Sequence, residues 1–437
     1  MIIHKSIILF FLCFSSWMGK AQSLYFPPLT GDAWDTISPS SLGWCRERID
    51  SMYEMLDDNN TKAFIILKDG KIVLEKYFGT FVQDSVWYWA SAGKSLTSFL
   101  VGMAQQEGLL SLSDTTAAYL GEGWTACAME EEEKITIRHQ LTMTSGLDDR
   151  VPDPYCTIDT CLLYKADAGT RWAYHNAPYT LLDGVMEAAT GQGLNTYFNQ
   201  KVRIPTGITG IFLPSGYNNV FYSKPRSMAR YGLMILNNGN WNGNQILTDT
   251  AYFNQMVNTS QDLNLAYGYL WWLNGKASYM LPSLQIVFPG SLMPHAPDDM
   301  VMALGKNGQY INVVPGLNMV VIRMGNAPDG NEVPVTLNDK IWELIIGLEC
   351  GTTGTGNAGH LSSSFEVFPN PSTDYFAVTL PGRHFEIFVY DLNGHLMMQQ
   401  PDCFDRTEIH SVLTSGMYII KAVAGENTFI RKIFLAR

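Results

Sequence analysis

One cation stands alone in a long uncharged stretch. Between Ser85 and Gln106 the only Asp, Glu, Lys or Arg is Lys94, in the run Trp87-Tyr88-Trp89-Ala90-Ser91-Ala92-Gly93-Lys94-Ser95-Leu96. Leu96, Phe99, Leu100 and Met103 follow at helical spacing, so Lys94 is expected on a helix that the fold must bury. A buried lysine constrains the surrounding core, because its charge must be neutralised or its proton lost. Ser91 lies three residues earlier, one helical turn away on the same face. A serine hydroxyl becomes a nucleophile when a base removes its proton, and a desolvated, neutral lysine is such a base. Ser-x-x-Lys alone is common; as the only reactive polar pair in an apolar helix it points to Ser91 as nucleophile and Lys94 as base. Gly93-Lys94-Ser95 does not make a phosphate loop, since Tyr88 occupies the position where that motif needs a glycine.

The 437 residues suffice for two or three domains. An apolar content of 46% with 16% charged residues fits a large buried core, and a net charge of −12 argues against nucleic-acid partners. Residues 1–21 read as a secretory signal: His4 and Lys5 precede the apolar run Ile7 to Trp17, and Gly19-Lys20-Ala21 supplies small residues for cleavage near Ala21. No later stretch has the length and apolarity of a transmembrane segment. Export permits disulfides. Cys156 and Cys161, close together in a polar loop, are the expected pair, while Cys45 and Cys127 read better as buried thiols.

Ser41 to Asp58 is helical in pattern. Ala63–Leu67 and Ile72–Tyr77 form a hairpin about Asp69-Gly70. Much of 110–260 reads as a helical lobe, with an amphipathic helix over Pro225–Leu236. Strands are expected at 267–273, 300–305, 309–315 and 319–323, and a closing helix at 337–348. The fold class is therefore α+β or α/β: an antiparallel sheet flanked by helices, plus a helical lobe. Glu130 to Glu133 reads as a solvated face, and His139 as a structural hydrogen-bonding residue. The small polar residues 350–364 read as a linker. Beyond it, 365–437 alternates short strands and turns, as in a small β-sandwich.

Three segments carry a resemblance: Ser91-Ala92-Gly93-Lys94, Thr136-Ile137-Arg138-His139-Gln140-Leu141-Thr142-Met143-Thr144-Ser145-Gly146-Leu147, and Tyr174-His175-Asn176. In that order they resemble the penicillin-recognising serine hydrolases, which include class C β-lactamases, D-Ala-D-Ala carboxypeptidases, family VIII esterases and 6-aminohexanoate-dimer hydrolases. The resemblance spans about residues 35–350 and sets the hydrolase domain at 22–349. It implies an ester- or amide-cleaving enzyme without metal or organic cofactor, acting on a small molecule or peptide. Ser91, Lys94 and Tyr174 would be catalytic, with an ionised Tyr174 or a neutral Lys94, or both, taking the proton. Asn176 and the third motif, Lys306-Asn307-Gly308 with Gln309, would bind substrate, the N–H groups of Ser91 and Gln309 forming the oxyanion hole. Asn307 replaces the family's usual hydroxyl residue, and Met143 a frequent histidine; the run Gly305-Lys306-Asn307-Gly308-Gln309 resembles the esterase and oligomer-hydrolase branch more than the β-lactam binders. A non-catalytic surface protein binding peptidoglycan fragments or peptides is the alternative. From Phe368-Pro369-Asn370-Pro371-Ser372 to Lys432-Ile433-Phe434 the chain resembles the sorting domain of the type IX secretion system of Bacteroidota. That implies passage across the outer membrane through the secretion machinery, then release or surface attachment.

Overall fold

The computed structural model describes residues 24–328, 333–350 and 365–436, apart from 371, 374, 392, 393, 411, 412 and 426. The expected signal segment and nearly all of the linker lie outside the described residues.

A six-stranded antiparallel sheet organises the first 350 residues. From edge to edge it runs Lys71–Tyr77, Thr61–Lys68, Met319–Gly325, Gln309–Val314, Val301–Gly305 and Trp272–Leu273. The hairpin at Asp69-Gly70 turns as expected, with both residues in the left-handed region (φ 52° and 81°). A Cβ on Gly70 would stand 2.0 Å from the Tyr25 carbonyl oxygen, so only glycine fits there. Thr61–Lys68 then pairs with Met319–Gly325, Ile65 opposite Ile322, and this joins the two ends of the domain. Strands buried on both faces read as continuous apolar runs rather than alternating ones, as in Ala63-Phe64-Ile65-Ile66-Leu67, all 0% exposed. Helices Arg46–Asp58 and Val335–Ile346 belong to the same core, which takes up Met52, Leu56, Ile341 and Trp342. Helix Pro225–Leu236 packs against the sheet, and its Gly232 would bring a Cβ to 2.5 Å from Val320.

The strand expected over 267–273 is regular only at Trp272–Leu273. Leu270, at φ 61°, breaks the run, and its N–H donates instead to the Leu141 carbonyl. The lobe between residues 110 and 260 is not purely helical. Trp87–Tyr88, Asn218–Ser223 and Ile211–Ser215 form a three-stranded sheet. Pro214 hides this hairpin in the sequence, since proline is tolerated only on an edge strand such as this one.

Cys45 is not a free thiol. It is bonded to Cys350, 305 residues away, where the start of the first helix meets the end of the last. Cys156 and Cys161 are bonded to each other, and Cys127 is free. The last 70 residues form a separate antiparallel sheet with its own core of Phe376, Val378, Ile387, Val389, Ile420 and Ile433. Not all strands there are short: Tyr375–Tyr390 is one strand of 16 residues, bent by register shifts against Leu396–His410. No described helix is long and apolar enough to cross a membrane.

Candidate active site

The Ser91 turn is held from behind by aromatic packing. Trp89 is fully buried, its N–H donating to the Phe221 carbonyl (2.8 Å) and its indole N–H to Ser223 Oγ (2.8 Å). Its ring packs edge-on against Phe221. Ala90 then adopts φ 48°, a left-handed conformation that costs a non-glycine residue roughly 1 kcal/mol. A short 3₁₀ turn over Ala90–Gly93 leads into helix Lys94–Gln106. Ser91 is the only partly exposed residue from 91 to 100, so the turn presents its hydroxyl while the helix behind it stays in the core.

Lys94 is 4% exposed. Its Nζ donates to Ser91 Oγ (3.0 Å) and to Asn176 Oδ1 (2.9 Å). The faces of Tyr179 and Tyr174 lie 4.3 and 5.2 Å from the same nitrogen. Burial pulls the amine down to about 7. The uncharged surroundings legible around Lys94 are thus real in three dimensions and shift its protonation toward neutrality.

Tyr174 also reaches Ser91, through a side-chain hydrogen bond. Its ring stacks on Trp272 (5.8 Å) and meets Tyr267 edge-on (6.3 Å). The expected downward shift of its phenol does not occur. Burial raises it well above the usual tyrosine range, opposed by a hydrogen bond with Ser91. The reason is the burial of the phenol itself, which outweighs the bond to Ser91. Ser91 therefore sits between an amine pushed toward its neutral form and a phenol held protonated.

The segment at 136–147 positions this cluster. Thr136 and His139 form a capping box for helix Ile137–Leu141, so His139 Nδ1 accepts from the Thr136 N–H (3.1 Å). Gln140 donates to the Pro178 carbonyl (2.8 Å), in the helix Asn176–Thr180 that Asn176 begins. Met143, at φ 58°, accepts from the Ala173 N–H (2.9 Å), adjacent to Tyr174. Leu-Thr-Met-Thr-Ser-Gly-Leu is thus a brace for the Tyr174 loop.

Gly305, at the end of its strand, abuts the Ser91 turn backbone to backbone. A Cβ there would stand 2.4 Å from the Trp89 carbonyl oxygen and 3.0 Å from the Ala92 nitrogen. Lys306, Asn307 and Gly308 make the hairpin turn that follows, closed by the Gly308 N–H to the Gly305 carbonyl (3.1 Å). Asn307, at φ 64°, donates to the Tyr88 hydroxyl (2.6 Å), while the Lys306 side chain is exposed. The Gln309 side chain is 0% exposed, its amide donating to the Lys306 and Gly325 carbonyls and accepting from the Gly325 N–H. That side chain holds the hairpin together.

Arg323 escaped the sequence reading. Fully buried, it donates to the carbonyls of Asn307 (3.2 Å), Gly308 (2.6 Å), Asn59 (2.7 Å) and Asn326 (3.1 Å) and to Thr61 Oγ1 (2.9 Å). It clamps the Lys306 turn. Its signal was available: one charge inside the apolar strand Met319–Gly325. Tyr179 and Trp272 carried no signal that set them apart from other core aromatics.

The sheet, the lobe and the Ser91–Lys94–Asn176 cluster between them define a serine hydrolase fold of the β-lactamase and penicillin-binding kind. The chain belongs to the beta-lactamase family, whose model matches residues 58–345. Residues 366–436 match the secretion system C-terminal sorting domain. An uncharacterised protein of Alkalihalophilus pseudofirmus is 26% identical over 63% of this chain and 88% of its own length. The 6-aminohexanoate-dimer hydrolase of Paenarthrobacter ureafaciens is 20% identical over 64% of this chain and 76% of its own. A family VIII carboxylesterase shares the fold, with a TM-score of 0.54, 15% identity, and coverage of 70% of this chain and 99% of that one. The sorting domain marks the protein for export through the type IX machinery, to be secreted or held at the cell surface.

Proposed function

We propose that this exported protein hydrolyses an ester or amide through an acyl-enzyme on Ser91. The observation that carries the reading is the position of Lys94 Nζ, within hydrogen-bond reach of Ser91 Oγ and Asn176 Oδ1 in a site that favours the neutral amine. With Lys94 neutral the hydrogen bond reverses, and the Ser91 O–H donates to the amine lone pair. Ser91 Oγ attacks the carbonyl carbon and Lys94 takes the proton. The carbonyl becomes an oxyanion. Tyr174, protonated, gives its phenolic proton to the leaving group and takes the serine proton back from Lys94, so the bond to the leaving group breaks with both side chains neutral again. Water then attacks the acyl-enzyme by the reverse relay and releases Ser91. Asn176 fixes the Lys94 amine.

The oxyanion needs two donors already aimed at it. One is the Ser91 N–H. For the second we assign the Lys306 N–H in place of Gln309. Lys306 directly follows Gly305, whose backbone abuts the Trp89 carbonyl and the Ala92 nitrogen, and this brings the Lys306 N–H to the Ser91 turn. The next strand pairs with this one at Val301 and Met302.

The test is covalent labelling with a fluorophosphonate and a fluorescent penicillin, followed by an ester and D-amino-acid peptide panel. Wild type should label at Ser91, and Ser91→Ala should lose the label while its melting temperature changes little. Labelling that survives in Ser91→Ala would overturn the reading and favour a binding protein of the same fold.

A further inference from the structure

Beside Tyr174 lies a cavity of about 240 Å³. Tyr174 and Trp272, stacked on each other, belong to its wall, together with Leu281, Leu284, Leu292 and Leu304. Leu304 directly precedes Gly305, the residue that touches the Ser91 turn, so the cavity adjoins the nucleophile. Among its described lining residues the only charged one is Lys432, from the last strand of the sorting domain. A lysine contributes an apolar stem as well as an ammonium group.

We infer that this cavity receives an apolar aliphatic or aromatic group flanking the scissile bond, and so selects the substrate by hydrophobic burial. The inference rests on the serine-hydrolase reading and adds the substrate class. A cavity of about 240 Å³ has room for a short alkyl chain or a ring. Each methylene moved from water into such a site is worth up to about a fourfold gain. Apart from Lys432, Ser283 and Tyr174 the described lining is apolar, so most of its wall compensates lost hydration only for an apolar group.

The test uses the full chain and two series of esters. One varies the acyl group on a constant leaving group, as p-nitrophenyl acetate, butanoate and hexanoate. The other varies the alcohol on a constant acetate, as methyl, butyl and benzyl. The expected result is kcat/KM rising at least tenfold along one series, which also tells which side of the bond the cavity takes. Leu281→Asp and Leu284→Asp, both at half-buried positions, should each cut that long-to-short ratio at least tenfold. The ratio, not the absolute rate, is read. Flat or falling kcat/KM along both series, or an unchanged ratio in both variants, overturns the proposal. Fluorophosphonate labelling run in parallel separates the two failures. Labelled Ser91 with no chain-length preference sinks the cavity assignment alone; absent labelling sinks the hydrolase reading and this inference with it.

Discussion

At the scale of single residues the question is which group removes the Ser91 proton. Burial leaves Lys94 with a pKa near 7 and raises that of Tyr174. As the base, Lys94 must be neutral, so kcat/KM should rise with pH and level off above an inflection near 7. Tyr174→Phe should lower the rate by roughly 10²–10⁴ through loss of the proton relay, yet keep the same inflection. A pH profile whose inflection vanishes in Tyr174→Phe would return the base role to the phenol. Stability should respond in the same direction. The folded state lowers the Lys94 pKa from its ordinary 10.5 to about 7, so between those values the unfolded chain binds more protons. The penalty for burying Lys94 is therefore full below about pH 7 and fades as pH rises toward 10.5.

At the scale of elements, the site depends on one strand end meeting one turn. Gly305 lies so close to Trp89 and Ala92 that any side chain must push the two apart. Gly305→Ala should therefore lose fluorophosphonate labelling and destabilise the domain by about 1–3 kcal/mol, the range for forcing atoms into a packed site. Wild-type labelling and melting in Gly305→Ala would mean the edge does not shape the site. Much at this scale was legible. The hairpin at Asp69-Gly70, helix Pro225–Leu236 and the final strands follow from turn chemistry and periodicity. Pro214 and Leu270 defeated the same reasoning, because an edge position and a single left-handed residue are set by neighbours distant in sequence. The side chain of Gln309 is spent on holding two backbone segments, a role that only their pairing in the folded sheet reveals.

At the scale of the whole molecule, Cys45–Cys350 ties the ends of the hydrolase domain together. Closing so long a loop is worth on the order of 5 kcal/mol in the chain-entropy model. Cys45→Ser with Cys350→Ser should melt well below wild type by calorimetry, whereas losing Cys156–Cys161, a loop of a few residues, should cost less. A truncation that separates the sorting domain must therefore retain Cys350. A chain ending at Cys350 should keep Ser91 labelling, since the nucleophile, amine and phenol all come from residues 91–174. It should also fail to leave its native host; equal secretion with and without residues 365–437 would refute the need for the tail. Lys432 lines the cavity beside Tyr174, so substrate preference is where truncation should be felt.

The sequence by itself determined that Ser91 is paired with a buried amine. Ser91 and Lys94 are one turn apart, and the absence of other charge around them is a local property that any burial would convert into a depressed lysine pKa. It also determined the two-part organisation, because composition and strand pattern change on either side of a small polar stretch. Only the tertiary structure decided which backbone edge faces Ser91, which buried cation clamps the Lys306 turn, and where Cys45 finds its partner. It also decided that Tyr174 stays protonated. Those depend on contacts such as Thr61 with Arg323 and Trp89 with Gly305, whose partners lie more than two hundred residues apart. No local pattern encodes them, because their free energy exists only once the sheet has brought the two ends of the chain together.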